Sequence, residues 1–212
     1  MGICYIFGAA DGLPQKIEKN RDDIIIAADG GYCFLKEKDI TPDIVLGDFD
    51  SLGYIPEVNC KIIKHPVKKN DTDTILAVKT GFDLGFKNFV LYGCSGKRID
   101  HTFANIQTLS YITNLGGKGF LCGKDFVVTT VKNGSLKFSK RKCGTVSVFS
   151  ITEKSSGVSI DGLLYDLDNA TLNSDFPLGV SNEFVGKEVQ ISVKDGMIAV
   201  IWSGEINDIV IE

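Results

Sequence analysis

No Cys-x-x-Cys pair occurs anywhere in this chain of 212 residues, although it holds six cysteines, at positions 4, 33, 60, 94, 122 and 143. The spacing excludes a zinc-ribbon framework or a dithiol redox motif, and reduced, mostly buried thiols are the expectation. With only two histidines there is no histidine-rich metal centre. Basic residues do not dominate either: 23 Lys and Arg against 27 Asp and Glu give a formal net charge of -4. That balance argues against a nucleic-acid partner, which calls for a basic surface. No apolar stretch approaches the roughly 20 residues of a membrane span. No signal-peptide pattern precedes the strand-like Ile3-Cys4-Tyr5-Ile6-Phe7, and Ile6 stands where myristoylation wants Ser or Thr. The expectation is a cytoplasmic protein with neither nucleic-acid nor membrane partners.

What is present suits a globular fold: 43% hydrophobic and 24% charged residues. Short β-rich runs at 3–7, 24–28, 44–46, 61–63, 88–92 and 119–122 are mostly apolar on both faces, as in a parallel sheet covered on both sides. Helical patterns lie between them at 32–38, 72–84 and 101–115. In the second, Ile75, Leu76, Val78, Phe82 and the stem of Lys79 make one apolar stripe. This alternation predicts an α/β domain over residues 1–124. From Asp125 onward the texture changes to short strands at 126–131, 136–138, 145–150, 158–160, 189–193 and 197–202, separated by turn signals. Asp195-Gly196 between two alternating runs reads as a hairpin. No amphipathic helix follows Leu115, so residues 125–212 are expected to form an antiparallel β-sandwich or barrel. No low-complexity linker separates the two.

Two acidic clusters carry the chemistry. Gly47-Asp48-Phe49-Asp50-Ser51 follows an apolar strand, and Lys69-Asn70-Asp71-Thr72-Asp73 opens a helix. Two carboxylates 4 Å apart repel by about 4 kcal/mol at an effective dielectric near 20, and a divalent cation removes that cost. An acid-x-acid pair outside the carboxyl end of a strand can hold Mg²⁺, and through it phosphate oxygens. Helix-start acids such as Asp71 and Asp73 also complement the positive helix end, which explains one of them without a metal. A third element, Gly93-Cys94-Ser95-Gly96-Lys97-Arg98-Ile99-Asp100-His101, follows the strand at 88–92. Its glycines let backbone N–H groups approach phosphate, and Arg98 can make a two-pronged phosphate contact. His101 and Asn105 share a helix face, and His101 reads as a hydrogen-bond anchor. The spacing is not that of a Walker A loop. Ala28-Asp29-Gly30-Gly31 closes the second strand, and Gly8-Ala9-Ala10-Asp11-Gly12 after the first is a weaker signal of the same kind.

In this order, Asp29-Gly30-Gly31, Gly47-Asp48-Phe49-Asp50-Ser51, Thr72-Asp73 and Arg98-x-Asp100-His101 resemble the thiamine pyrophosphokinases. Gly162-Leu163-Leu164-Tyr165 and Gly179-Val180-Ser181-Asn182-Glu183 look like that family's C-terminal β-domain signatures, so the resemblance spans nearly the whole chain. It implies transfer of a diphosphoryl group from Mg-ATP to the hydroxyl of thiamine, with release of AMP. It also implies Mg²⁺ held by Asp48, Asp50, Asp71 and Asp73, with Asp100 as a further acid and Arg98 on the polyphosphate. Asp29, Gly30, Ser51, Asp71, Thr72 and His101 would serve ATP and its phosphates. Tyr165, Ser181 and Asn182 would serve thiamine, whose cationic ring an aromatic face attracts by about 0.5–2 kcal/mol. The resemblance further implies a homodimer with the active site at the interface. Two positions depart from the family pattern. Asn70 stands at its first acid position, so that either Asp71 takes over the ligand role or one metal contact becomes neutral, and Lys97 stands for a glycine. The competing readings are another Asp-x-Asp metal-dependent phosphotransferase or phosphatase, and a thiamine- or nucleotide-binding regulatory module without turnover.

Overall fold

The computed structural model describes every residue except Met1, Gln15, Ser51, Leu52, Ile55, Glu57, Val58, Val67, Lys68, Lys69, Lys97, Ile211 and Glu212. The chain divides into two compact units, Met1–Thr108 with Leu115–Lys124, and Leu109–Asn114 with Asp125–Glu212.

The first unit contains strands β1 (Ile3–Phe7), β2 (Ile24–Ala28), β3 (Ile44–Gly47), β4 (Lys61–Lys64), β5 (Asn88–Tyr92) and β6 (Lys118–Cys122). Their spatial order is β6-β5-β1-β2-β3-β4, and every neighbouring pair is parallel. Ile6, Phe7, Ile26, Val45, Leu46, Phe89 and Leu91 are buried to 0% exposure, as near-continuous apolar runs require when both sheet faces are covered. The chain lays β1 to β4 outward on one side, then returns to place β5 on the other side of β1. The order therefore reverses between β1 and β5, which makes the mouth between their carboxyl ends the natural ligand crevice of such a sheet.

Helices α1 (Gly31–Glu37), α2 (Asp73–Asp83) and α3 (Ile99–Asn114) follow β2, β4 and β5. Thr72 caps α2, its hydroxyl accepting the Ile75 N–H at 3.3 Å. The buried face of α2 is Ala77, Val78 and Gly81, whereas Ile75, Leu76, Lys79 and Phe82 are half-buried. The apolar stripe read from the sequence is thus rotated from the true contact face. Small residues let the helix sit close to the sheet but carry little hydropathy signal.

Among the described residues of the second unit, the regular structure is strand apart from the end of α3 and a 3₁₀ turn at Ile206–Asp208. Its strands are β7 (Phe126–Lys132), β8 (Ser135–Phe138), β9 (Thr145–Ser150), β10 (Lys154–Asp161), β11 (Leu167–Asn173), β12 (Gly179–Glu183), β13 (Val189–Ser192), β14 (Met197–Ser203) and β15 (Ile209–Val210). They run antiparallel in two sets, β12-β9-β14-β7 and β11-β10-β13-β8-β15. Phe138 meets Trp202 and Phe184 edge-on in the core, at ring distances of 5.2 and 5.3 Å. The α/β-plus-antiparallel-β architecture is the expected one.

The Asp195-Gly196 hairpin is not. β13 and β14 belong to different sets, so this turn is a corner that carries the chain from one to the other. A Cβ on Gly196 would lie 2.9 Å from the Lys154 carbonyl oxygen and from Ser155 Cα. The glycine answers a close approach by β10, which the flanking alternation does not reveal.

Candidate active site

The turns that leave β1, β2, β3 and β5 are laced together at the carboxyl edge of the parallel sheet. Gly8 N–H donates to Tyr92 O at 2.8 Å and Ala10 N–H to Gly93 O at 2.7 Å, and Asp11 forms a bridge with Ser95. Farther along, Asp29 N–H donates to Leu46 O at 2.8 Å and His65 N–H to Gly47 O at 2.9 Å. The packing leaves no room for a side chain at Gly31 and little at Gly47, whose φ of 153° also disfavours one. A Cβ on Gly31 would stand 1.9 Å from Phe7 O, and one on Gly47 3.2 Å from Asp29 Cα.

Phe49 anchors the first acid cluster. Its backbone is left-handed (φ 62°) while its ring is 3% exposed, packed with Phe7, Leu35 and Val45. That conformation costs a non-glycine residue about 1–2 kcal/mol, and burying a phenylalanine ring returns about 1.5–3 kcal/mol. The buried ring thus holds a strained turn that presents Asp48 and Asp50 on either side. Asp48 is half-buried and Asp50 exposed, and the Asp50 N–H donates to Asp48 Oδ1 at 3.2 Å. Asp29 is also left-handed (φ 48°), so neighbouring acid turns share backbone strain of the kind that clusters at functional sites. Ser51 lies outside the described residues.

The second cluster opens α2 at the same edge. The Thr74 hydroxyl reaches the Cys94 thiol, which ties the helix start to the turn after β5. Burial pushes that thiol up to about 12, opposed by the Thr74 hydrogen bond. Asp73 lies in the first helical turn and is half-buried. Asp71 instead pairs with Lys79, Oδ2 to Nζ at 2.6 Å, both side chains being partly exposed. Asn70, its neighbour, is exposed.

In the third element, Arg98 grips Asp100 with two prongs, Nη2 to Oδ2 at 2.6 Å and Nε to Oδ1 at 3.3 Å. This hydrogen bond holds the Asp100 carboxyl below its ordinary range and the guanidinium above its own. The loop before them is stapled by α3. The buried Asn105 donates Nδ2 to Cys94 O at 2.7 Å, and Thr102 Oγ1 accepts Gly96 N–H at 3.2 Å. Asn105 and Thr102 thus provide the anchoring that the sequence suggested for His101, which is exposed on the first turn. Lys97 lies outside the described residues.

Among the described residues, no three Asp, Glu, His or Cys side chains form a ready-made metal cage. The donors at this edge are carboxylate oxygens, the set that suits Mg²⁺, which keeps several waters and binds one or two carboxylates together with substrate phosphates. Sequence reasoning underrated Asp11, whose turn proves to flank the crevice between β1 and β5. It missed His65, whose Nε2 is buried without a hydrogen-bond partner.

In the second unit, Tyr165 is 65% exposed on the turn between β10 and β11. Ser181 is exposed with a left-handed backbone (φ 60°), and its N–H donates to Ser147 Oγ at 3.1 Å. Asn182 is buried, and its amide is engaged with the backbone of Tyr165 and Glu183.

The first unit is thus an open parallel α/β sheet with acidic, glycine-bearing turns at the edge where such sheets take up ligands, and an antiparallel β unit follows it in the chain. The family model described as the thiamin pyrophosphokinase catalytic domain matches residues 16–117, and that of the thiamin pyrophosphokinase vitamin B1 binding domain matches residues 135–198. Thiamin pyrophosphokinase 1 of Caenorhabditis elegans is 27% identical over 215 residues, covering 92% of this chain and 87% of that protein. The thiamine pyrophosphokinase of Bacillus subtilis is 24% identical over 84% of this chain and 86% of its own length. A crystal structure of Bacillus subtilis thiamine pyrophosphokinase superposes with a TM-score of 0.82 at 22% identity, covering 97% of this chain and all of that one. The chain belongs to the thiamin pyrophosphokinase family.

Proposed function

We propose that this protein transfers the diphosphoryl group of ATP to the hydroxyl of thiamine, giving thiamine diphosphate and AMP. The observation that carries the reading is that both domain families match in sequence order, and the acid turns at the carboxyl edge of the sheet support it. Residues 1–124 bind ATP and residues 125–212 bind thiamine. Asp48, Asp50, Asp71 and Asp73 would hold Mg²⁺, which would neutralise the polyphosphate charge. Arg98, oriented by Asp100, holds phosphate oxygens with its fork. Asp29, Gly30, Ser51, Thr72 and His101 line the nucleotide and its phosphates. A carboxylate of the edge takes the proton of the thiamine hydroxyl as its oxygen bonds to the β-phosphorus. The bond from that phosphorus to the oxygen bridging it to the α-phosphorus breaks, and AMP leaves with that oxygen. Tyr165 offers its exposed ring to the cationic thiazolium or the flat pyrimidine, with Ser181 and Asn182 beside it. The protein acts in the cytoplasm as a homodimer whose active site lies at the interface. Large apolar side chains that stand exposed support the pairing: Ile99 and Phe103 on α3, and Leu164, Phe176, Leu178 and Val180 in the second unit.

The test is incubation with Mg-ATP and thiamine followed by separation of the products. AMP with thiamine diphosphate is expected. ADP with thiamine monophosphate overturns the diphosphoryl step, and thiamine binding without turnover makes the chain a binding module.

A further inference from the structure

Tyr165 is an exposed aromatic on a short turn, and such a ring would ordinarily be loosely placed. Its backbone is not loose. Leu163 bridges Phe184, both buried, and Leu164 N–H donates to Glu183 O at 3.0 Å, so the segment runs antiparallel beside β12. The next rung is made by a side chain. Tyr165 N–H donates to Asn182 Oδ1 at 3.0 Å, and Asn182 Nδ2 donates to Tyr165 O at 2.6 Å. A carboxamide carries the same donor and acceptor as a peptide group, so it can stand in for a missing strand partner. The same Oδ1 accepts Glu183 N–H at 2.9 Å.

The reason a side chain is needed lies in β12. Its register against β9 slips between Gly179 and Asn182, where three steps on β12 match two on β9, from Val148 to Val146. The extra residue forms a bulge that re-aims the strand. Ser181 carries the distortion in its left-handed backbone, an uncommon state for serine. On the other flank, Asp166 Oδ1 accepts Gly162 N–H at 3.1 Å and closes the turn.

We infer that Asn182 is a positioning residue: it does not touch substrate but locks Tyr165, so that the ring is a preorganised face for the cationic or flat ring of thiamine. The inference rests on the reading that Tyr165 meets thiamine. Fixing the aromatic before binding removes an ordering cost that each substrate molecule would otherwise meet. Asp166 assists from the other side of the turn.

A double-mutant cycle with steady-state kinetics tests this. Asn182→Ala is expected to raise the thiamine KM about threefold or more, the scale of one to two lost hydrogen bonds, with the ATP KM unchanged. In a Tyr165→Ala background the same substitution is expected to add nothing further to the thiamine KM. Full additivity overturns the inference, since Asn182 would then meet thiamine directly, and so does an unchanged KM in the single variant. Should Asn182→Ala fail to fold, Asp166→Ala opens the other flank, and an unchanged thiamine KM there overturns the role given to the locked turn. Amide hydrogen exchange at Tyr165, measured by NMR without ligand, separates this inference from the functional reading. Slow exchange in the wild type and fast exchange in Asn182→Ala supports the lock even if thiamine proves not to be the substrate. Equal exchange in both removes it.

Discussion

The two units hold their functional groups in opposite ways. In the first, the acidic turns stand where parallel strands end, placed mainly by main-chain hydrogen bonds, a buried Phe49 and glycines at close backbone approaches, with Thr102 and Asn105 stapling the loop after β5. In the second, the exposed Tyr165 depends on other side chains, Asn182 and Asp166, to hold its turn. On the proposed reading, charge chemistry rests mainly on a backbone scaffold, and ring recognition on a side-chain lock.

The sharpest way to break the contrast is at a scaffold glycine. Gly31→Ala would set a Cβ 1.9 Å from Phe7 O, backbone that cannot swing aside. A loss of about 3 kcal/mol or more is expected in denaturant unfolding, and a near-wild-type midpoint would show that the edge is softer than its close contacts imply. Next come the acids themselves. Asp48→Asn or Asp50→Asn is expected to lower turnover at least tenfold, about 1.4 kcal/mol, with the thermal midpoint little changed. Wild-type rates in both variants would remove their role, and a collapsed midpoint would make them part of the scaffold after all.

Alkaline pH separates the units by a different chemistry. Cys4, Cys94 and Cys122 are buried in the first unit, and burial pushes each thiol from 9.0 up to about 12. The unfolded chain releases these protons near pH 9 while the folded one retains them, so stability is full below pH 9 and falls as pH rises toward 12. The effect is about 1.4 kcal/mol per thiol at pH 10, and Cys94→Ala should flatten the slope by that amount. The second unit has only the exposed Cys143 and the chain's one tryptophan, Trp202. Helical circular dichroism should therefore be lost at lower pH than the Trp202 fluorescence changes, and coincident transitions would show that the units unfold as one. The smallest effect belongs to the Asp71–Lys79 pair, whose side chains are 37% and 41% exposed. Lys79→Met should shift stability by less than about 1 kcal/mol, and a larger loss in thermal melts would mean that this edge, too, relies on side-chain locks.

The sequence revealed the first unit readily because most of its strands, the edge strand β4 apart, are buried on both faces and read as apolar runs. It hid β11 and β12. β11 is an edge strand beside β10 and is mostly exposed, so Leu167–Asn173 shows no apolar alternation. β12 is bulged and buries only Gly179 and Asn182. The acid turns were legible because glycine and paired aspartates after an apolar run mark a sharp, charged turn at the carboxyl end of a strand. The importance of Asp11 was not, since it depends on which strand lies beside β1, and strand order is absent from local pattern. The hydrogen bonds of Asn182 to the Tyr165 backbone were hidden likewise, because they join positions 17 residues apart that no local pattern links.

The reversal of strand order between β1 and β5 also bears on how the protein is made. Ile3 pairs with Asn88, so the crevice closes only after nearly half the chain has emerged. Parallel pairing over such a separation bears a loop-closure cost before it returns any contact. A nascent chain that ends before Asn88 already carries the turns of Asp29, Asp48 and Asp73, yet lacks the strand that makes them one wall of a crevice. The crevice that the proposed reading gives to ATP is therefore absent until β5 has emerged, and it precedes the whole of the second unit in synthesis.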